Sequence, residues 1–261
     1  MKNYLAIIIS VFIVASCTKV IDVDLNEADP IIVIEANYSA EDSTVRVLVT
    51  QTANYFSNDP QPTINNATVT ITDYLGTITT IPFSADGNYE LTNYIPVFGT
   101  SYTLNVLFEG TTYSASSTMN AVILQEPIYY EFTEGFFGSD PGYLVFLSYL
   151  DPAIEGNYTM TAISSNDSLH TELDDITLSE DKLTNGNYII RPLFQNLYDL
   201  EDTIRIELKT ISKSVFDYFT ELQTLIDPSS AAPANPDYQW TNNALGYFSA
   251  YSSSRQELVI L

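Results

Sequence analysis

The sequence predicts a mostly β protein of two β-sandwich-like (Ig- or transthyretin-like) domains, the second with one amphipathic helix near residues 213–226. Three observations predict it. From Ile31 onward apolar residues recur with a period of two, the mark of strands with one face toward a core. Turn formers such as Asp59-Pro60, Asp86-Gly87-Asn88, Phe98-Gly99-Thr100 and Glu109-Gly110 punctuate those runs at short spacing. Only one stretch repeats its apolar residues at helical spacing.

In chain order, Val45, Val47 and Val49 alternate with Arg46, Leu48 and Thr50, and Val69 and Ile71 with Thr68, Thr70 and Thr72. Tyr102, Leu104, Val106 and Phe108 form the next inward-facing set, and the runs 101–109 and 112–118 around Gly110 read as a hairpin. Turn density drops over 122–127, which sets a boundary between an N-terminal sandwich at 31–122 and a C-terminal β-rich domain at 123–261. Strands are expected there at 144–149, 158–164, 188–191 and 203–211. Val215, Phe216, Phe219, Leu222 and Leu225 then mark a helix lying across a sheet, with Ser214 as N-cap and Asp227-Pro228 as its stop. The prolines of 228–236 exclude regular structure, and Trp240, Tyr247, Phe248 and Tyr251 read as packing beneath that loop.

The first sixteen residues predict a different fate. Lys2 precedes an apolar run from Leu5 to Ala15 that is too short for a comfortable membrane span and suits a secretory signal. It ends in Val14, Ala15 and Ser16, small enough for the extended cleft of a lipoprotein signal peptidase, followed at once by Cys17. Residues 1–16 are therefore expected to be a signal peptide, 17–30 a lipidated tether, and Cys17 the attachment point of a diacylglyceryl group. Cys17 is the only cysteine, so no intrachain disulfide competes for it. Each buried methylene contributes roughly 0.8 kcal/mol, so several acyl chains hold a protein at a membrane durably. No aspartate follows Cys17, which favours the outer membrane over inner-membrane retention.

Charge narrows the partners. With 33 acidic and 9 basic residues, the formal charge is −24, which repels nucleic acid and anionic head groups. Catalytic constellations are absent from the sequence pattern. His170 stands alone in a polar loop, too little for a zinc site of the usual kind, and reads as a solvated side chain. Nucleophile-elbow, zinc-helix and phosphate-loop motifs are missing, so neither a catalytic residue nor a metal nor a cofactor is expected. Asp174, Asp175, Glu180 and Asp181 could gather calcium but lack the regular loop spacing, and a solvated acidic loop is the simpler reading. Aromatics are the more suggestive feature. Alternate residues of a strand face opposite ways, so Tyr129, Tyr130 and Phe132 cannot all be buried in one core; with Phe136 and Phe137 they are either rings packed under the domain junction or the candidate ligand- or partner-binding rings.

The strings Ser212–Phe219, Ala232–Pro236 and Ala244–Ser252, with the start Cys17–Leu25 and the middle Ala67–Asp73, resemble the Bacteroidota outer-membrane lipoprotein family of domain of unknown function 4249. Ser249 stands where that family is expected to hold glycine. The resemblance implies an outer-membrane lipoprotein encoded near a TonB-dependent receptor, and carries over no catalytic residue. The expectation is thus a non-catalytic binding or accessory lipoprotein serving a TonB-dependent transporter in nutrient uptake, its ligand unnamed. The alternative is a structural or adhesive envelope protein with no transported ligand.

Overall fold

The computed structural model describes residues 29–53, 60–135, 140–169, 173–182, 184–194, 196–226 and 239–261. Val14, Ala15, Ser16, Cys17, Phe136, Phe137, His170 and the proline-rich stretch 228–236 lie outside the described residues. The chain is mostly β, with several sheets and one α-helix among those residues. None of the described helices is long and apolar enough to cross a membrane.

Eight strands come first: β1 (Ile32–Ser39), β2 (Thr44–Gln51), β3 (Thr68–Thr72), β4 (Ile78–Ile81), β5 (Phe83–Ala85), β6 (Asn88–Leu91), β7 (Thr100–Phe108) and β8 (Thr111–Met119). Strands β4-β3-β7-β8 make a four-stranded sheet, and β1-β2-β6-β5 one half of a nine-stranded sheet. The alternation read from the sequence is realised: Val45, Val47, Val49, Val69, Ile71, Tyr102, Leu104 and Val106 are all buried in one core between the two sheets. The hairpin between β7 and β8 turns on Glu109 (φ 48) and Gly110 (φ 81), the left-handed pair that a two-residue turn requires.

The second set is β9 (Tyr129–Thr133), β10 (Gly142–Leu150), β11 (Tyr158–Ser165), β12 (Ser168–Leu169), β13 (Thr177–Glu180), β14 (Tyr188–Pro192), β15 (Thr203–Ile211), helix α1 (Lys213–Ile226) and β16 (Leu245–Val259). Strands β14-β10-β9 form a three-stranded sheet that packs on the other half of the nine-stranded sheet, around Val145, Leu147, Ile163, Ile204, Ile206 and Leu208.

One strand belongs to both sandwiches. β16 pairs in parallel with β1 from Val33↔Leu245 to Ser39↔Tyr251, then antiparallel with β15 from Thr210↔Ser252 to Thr203↔Val259. Its first half is sealed into the first core by Phe248 and Ala250, joined by Ala244 and by Trp240, whose indole N–H donates to the Ile34 carbonyl at 3.1 Å. Gly246 makes the approach feasible. Its φ is +97°, and an added Cβ would lie 2.2 Å from the Ile34 carbonyl oxygen. A single cut at 122/123 therefore misses the organisation: core membership changes between Met119 and Ile123, but residues 240–250 return to the first core. A parallel pair cannot be closed by a tight turn, and here the crossover runs through every strand from β2 to β15. Ser249, buried in β16, keeps ordinary strand geometry.

Helix α1 lies across the outer face of the nine-stranded sheet, with Val215, Phe216 and Phe219 packed against Tyr158, Met160, Ile211 and Tyr251. It starts two residues earlier than a Ser214 cap implies. The Phe216 N–H donates to the Ser212 carbonyl, which makes Ser212 the residue at the helix entrance.

Candidate functional site

An open concavity lies on that same outer face, beyond the helix. It is an open trough of about 440 Å³ floored by β11, β15 and β16 and bordered by Leu169 of β12. Side chains on one face of a sheet follow the strand register, so two cross-strand rows line it: Ala162, Glu207 and Arg255, then Ser164, Arg205 and Glu257. Charge alternates both along and across the strands. Arg255 reaches Glu207 and Glu41, each at 3.1 Å. Arg205 is held by Glu257 and by Asp167, the latter at the tip of the β11–β12 hairpin. Lys209, next in the ladder, sits 4.8 Å from the centre of the Tyr251 ring. Three of the chain's nine basic residues thus gather on one half of one sheet. Sequence periodicity gave no hint of this, because β15 and β16 meet only in the folded chain.

The three described aromatic candidates are dispersed rather than assembled. Tyr129 and Phe132 are exposed, at 38% and 57%, but on opposite faces of β9. Tyr129 stacks on Phe146 with ring centres 4.9 Å apart and planes within 3°. Phe132 and Tyr130 both meet Tyr143 edge-on, on the side facing the core. The Tyr130 hydroxyl accepts from the Leu261 N–H and donates to its carbonyl, which fastens the end of the chain to β9. These three rings form no single platform.

The acidic stretch is likewise taken apart. Glu180 pairs with Lys182 at 2.9 Å, whereas Asp181 is buried and accepts from the backbone N–H groups of Gly156 and Asn157 and from the Asn157 amide. Burial pushes the Asp181 carboxyl up, but those donors outweigh it and hold the group below its ordinary value. Asp151, also buried, is pushed up by its desolvation and by the neighbouring Asp181 charge. Among the described residues, no three acidic, histidine or cysteine side chains are grouped to hold a metal.

A second surface escaped the reading of motifs because its mark is an absence. Residues 60–125 contain only four charged side chains, Asp73, Asp86, Glu90 and Glu109, and none lies within β3, β4, β7 or β8. The outward face of the four-stranded sheet is accordingly built mostly from hydroxyls, with the Asn105 amide and the apolar Ile78 and Leu107 among them. One cross-strand row is Ile78, Thr72, Thr103 and Ser116, and the next is Thr80, Thr70, Asn105 and Ser114. Thr68, Leu107 and Thr112 flank them on one side, Ser101 and Thr118 on the other, and every one of these residues is exposed or half-exposed. Neighbours are tied by side-chain hydrogen bonds: Ser101 to Thr118 and Thr103 to Ser116, each 2.8 Å, and Ser114 donating to Asn105 at 2.6 Å.

Comparison with the curated proteins finds no match. The model of a family described as a domain of unknown function, DUF4249, matches residues 18–257, so nearly the whole chain is covered, and the protein belongs to the DUF4249 family.

Proposed function

We propose that this chain is a non-catalytic binding or accessory lipoprotein, fastened to the outer membrane through Cys17 and serving a TonB-dependent transporter in nutrient uptake. The observation that supports it most is the trough on the nine-stranded sheet. Its guanidinium and carboxylate groups are held in place by one another, so donors and acceptors stand ready before a ligand arrives, which lowers the ordering cost of binding. Those ion pairs also occupy the carboxylates that general acid–base chemistry would need free to exchange protons. The tether rests on the leader and the lone cysteine.

Solubilised membranes test both halves. The native chain is expected in the membrane fraction with a lipid mass on Cys17, and Cys17→Ser in the soluble fraction. Affinity purification in detergent is expected to recover a TonB-dependent transporter in near-stoichiometric amount. An unmodified thiol removes the anchor. Consistent absence of the transporter removes the uptake role and points to the structural or adhesive one.

A further inference from the structure

We propose that the hydroxyl face of the four-stranded sheet is a docking surface for neutral polysaccharide. The face is separate from the trough, and the inference depends neither on the tether nor on a transporter.

The argument begins with charge. The chain carries a net charge of −24, yet the strands β3, β4, β7 and β8 contain no ionisable acid or base apart from tyrosine. Strand propensity explains threonine at such positions, but it does not exclude lysine, arginine and glutamate from four adjacent strands whose outer face meets water. An uncharged window in an acidic surface favours a partner that is itself uncharged, because anionic chains are repelled by the rest of the molecule.

Geometry narrows the partner further. Strands repeat at about 4.8 Å across the sheet and same-face residues at roughly 6.8 Å along it, so the face is a lattice of hydroxyls rather than a pocket. Each hydroxyl offers one donor and two acceptor positions. In the tied pairs Ser101–Thr118 and Thr103–Ser116 one hydroxyl must donate inward to the other, which leaves one donor and several lone pairs per pair directed outward. The side chains are thereby fixed before binding. A polysaccharide presents the matching pattern: an extended, uncharged chain whose hydroxyls both donate and accept. Ile78 and Leu107, 69% and 43% exposed on the same face, supply apolar contact for the C–H faces of sugar rings. A protein partner fits less well, since protein interfaces are centred on aromatic and arginine anchors and are depleted in serine, and this face has neither anchor.

The test is native affinity electrophoresis of the full chain in gels containing a soluble neutral glucan, mannan or xylan, with a carboxymethylated glucan as the anionic counterpart. Retardation is expected in at least one neutral gel and not in the carboxymethylated one. Thr103→Lys, at the centre of the face, is expected to weaken retardation by about tenfold or more, and Thr103→Ser to retain it. Ser116→Lys, at an exposed position beside it, provides the same reading should Thr103→Lys fail to fold by circular dichroism. The proposal is overturned if none of the three neutral polymers retards the chain, or if both lysine variants are retarded like the parent. It is equally overturned if sedimentation shows the parent dimerising through this face, with the dimer abolished by Ser116→Lys.

Discussion

Where the first sandwich fills its centre with Tyr38, Tyr89, Tyr102, Phe248 and Trp240, the second takes two carboxylates, Asp151 and Asp181, out of water within its own framework. Two tyrosines of the first keep their hydroxyls bonded to main chain: Tyr38 to the Tyr94 carbonyl at 2.7 Å, Tyr89 to the Ile64 carbonyl at 3.0 Å. No carboxylate lies in that core among the described residues. In the second, Asp181 ties the loop after β10 to the end of β13, so part of its cohesion is electrostatic. The difference teaches that two halves joined by one strand need not respond alike to their surroundings.

The sharpest way to break the contrast is to strike what the halves share. Gly246→Val drives a side chain into the Ile34 carbonyl and forces a backbone away from φ +97°, and is expected to cost more than about 4 kcal/mol, in the exceptional range for single substitutions. Denaturant unfolding followed by circular dichroism should show the whole transition moving. Trp240→Ala is next, at about 3–5 kcal/mol for emptying a buried indole site. Trp240 is also the chain's only tryptophan, so in the parent its fluorescence reports the first core alone. Coincidence of that signal with circular dichroism measures how firmly β16 couples the halves.

Two substitutions sharpen the second half. Asp181→Ala orphans the N–H groups of Gly156 and Asn157 and should cost about 1–3 kcal/mol at neutral pH. Because its folded value is depressed, the Asp181 contribution is present above the ordinary carboxylate value and lost as pH falls through the folded one. The variant and parent melts should therefore converge in acid. Asp151 carries the opposite sign: its raised value means stability is lost as pH rises through the folded value. Asp151→Asn should raise the melting temperature by a few degrees at neutral pH and match the parent in acid. The smallest effect is expected at the rim of the trough, where Glu41→Ala removes an exposed partner of Arg255 for less than about 1 kcal/mol.

How much of this was legible in the sequence differs by element. Strands with strong alternation, such as β2 and β7, announce their inward faces, and the helical spacing of Val215, Phe216 and Phe219 predicts the cover on the sheet. β16 hides because its inward positions are Gly246, Phe248, Ala250, Ser252 and Ser254, mostly small or polar. Its buried serine finds a polar partner instead: Ser252 donates to the Asn120 carbonyl at 3.0 Å, and the half-buried Ser254 donates to that of Ile123 at 3.0 Å. Alternation of hydrophobicity cannot register a strand buried through small residues and hydrogen bonds. The trough was hidden for a related reason, since Glu41, Asp167, Arg205 and Arg255 are brought together only by strand pairing across the chain. The uncharged face, by contrast, stood in the sequence as a gap in composition, which a search for motifs passes over.

The shared strand also fixes how the molecule bears tension. A pull applied at the start of β1 and resisted at the end of β16 runs along two parallel strands in opposite senses, from Val33↔Leu245 to Ser39↔Tyr251. That is shear. The seven register positions are loaded together and must give way together, whereas a hairpin pulled from its open end peels one bond at a time.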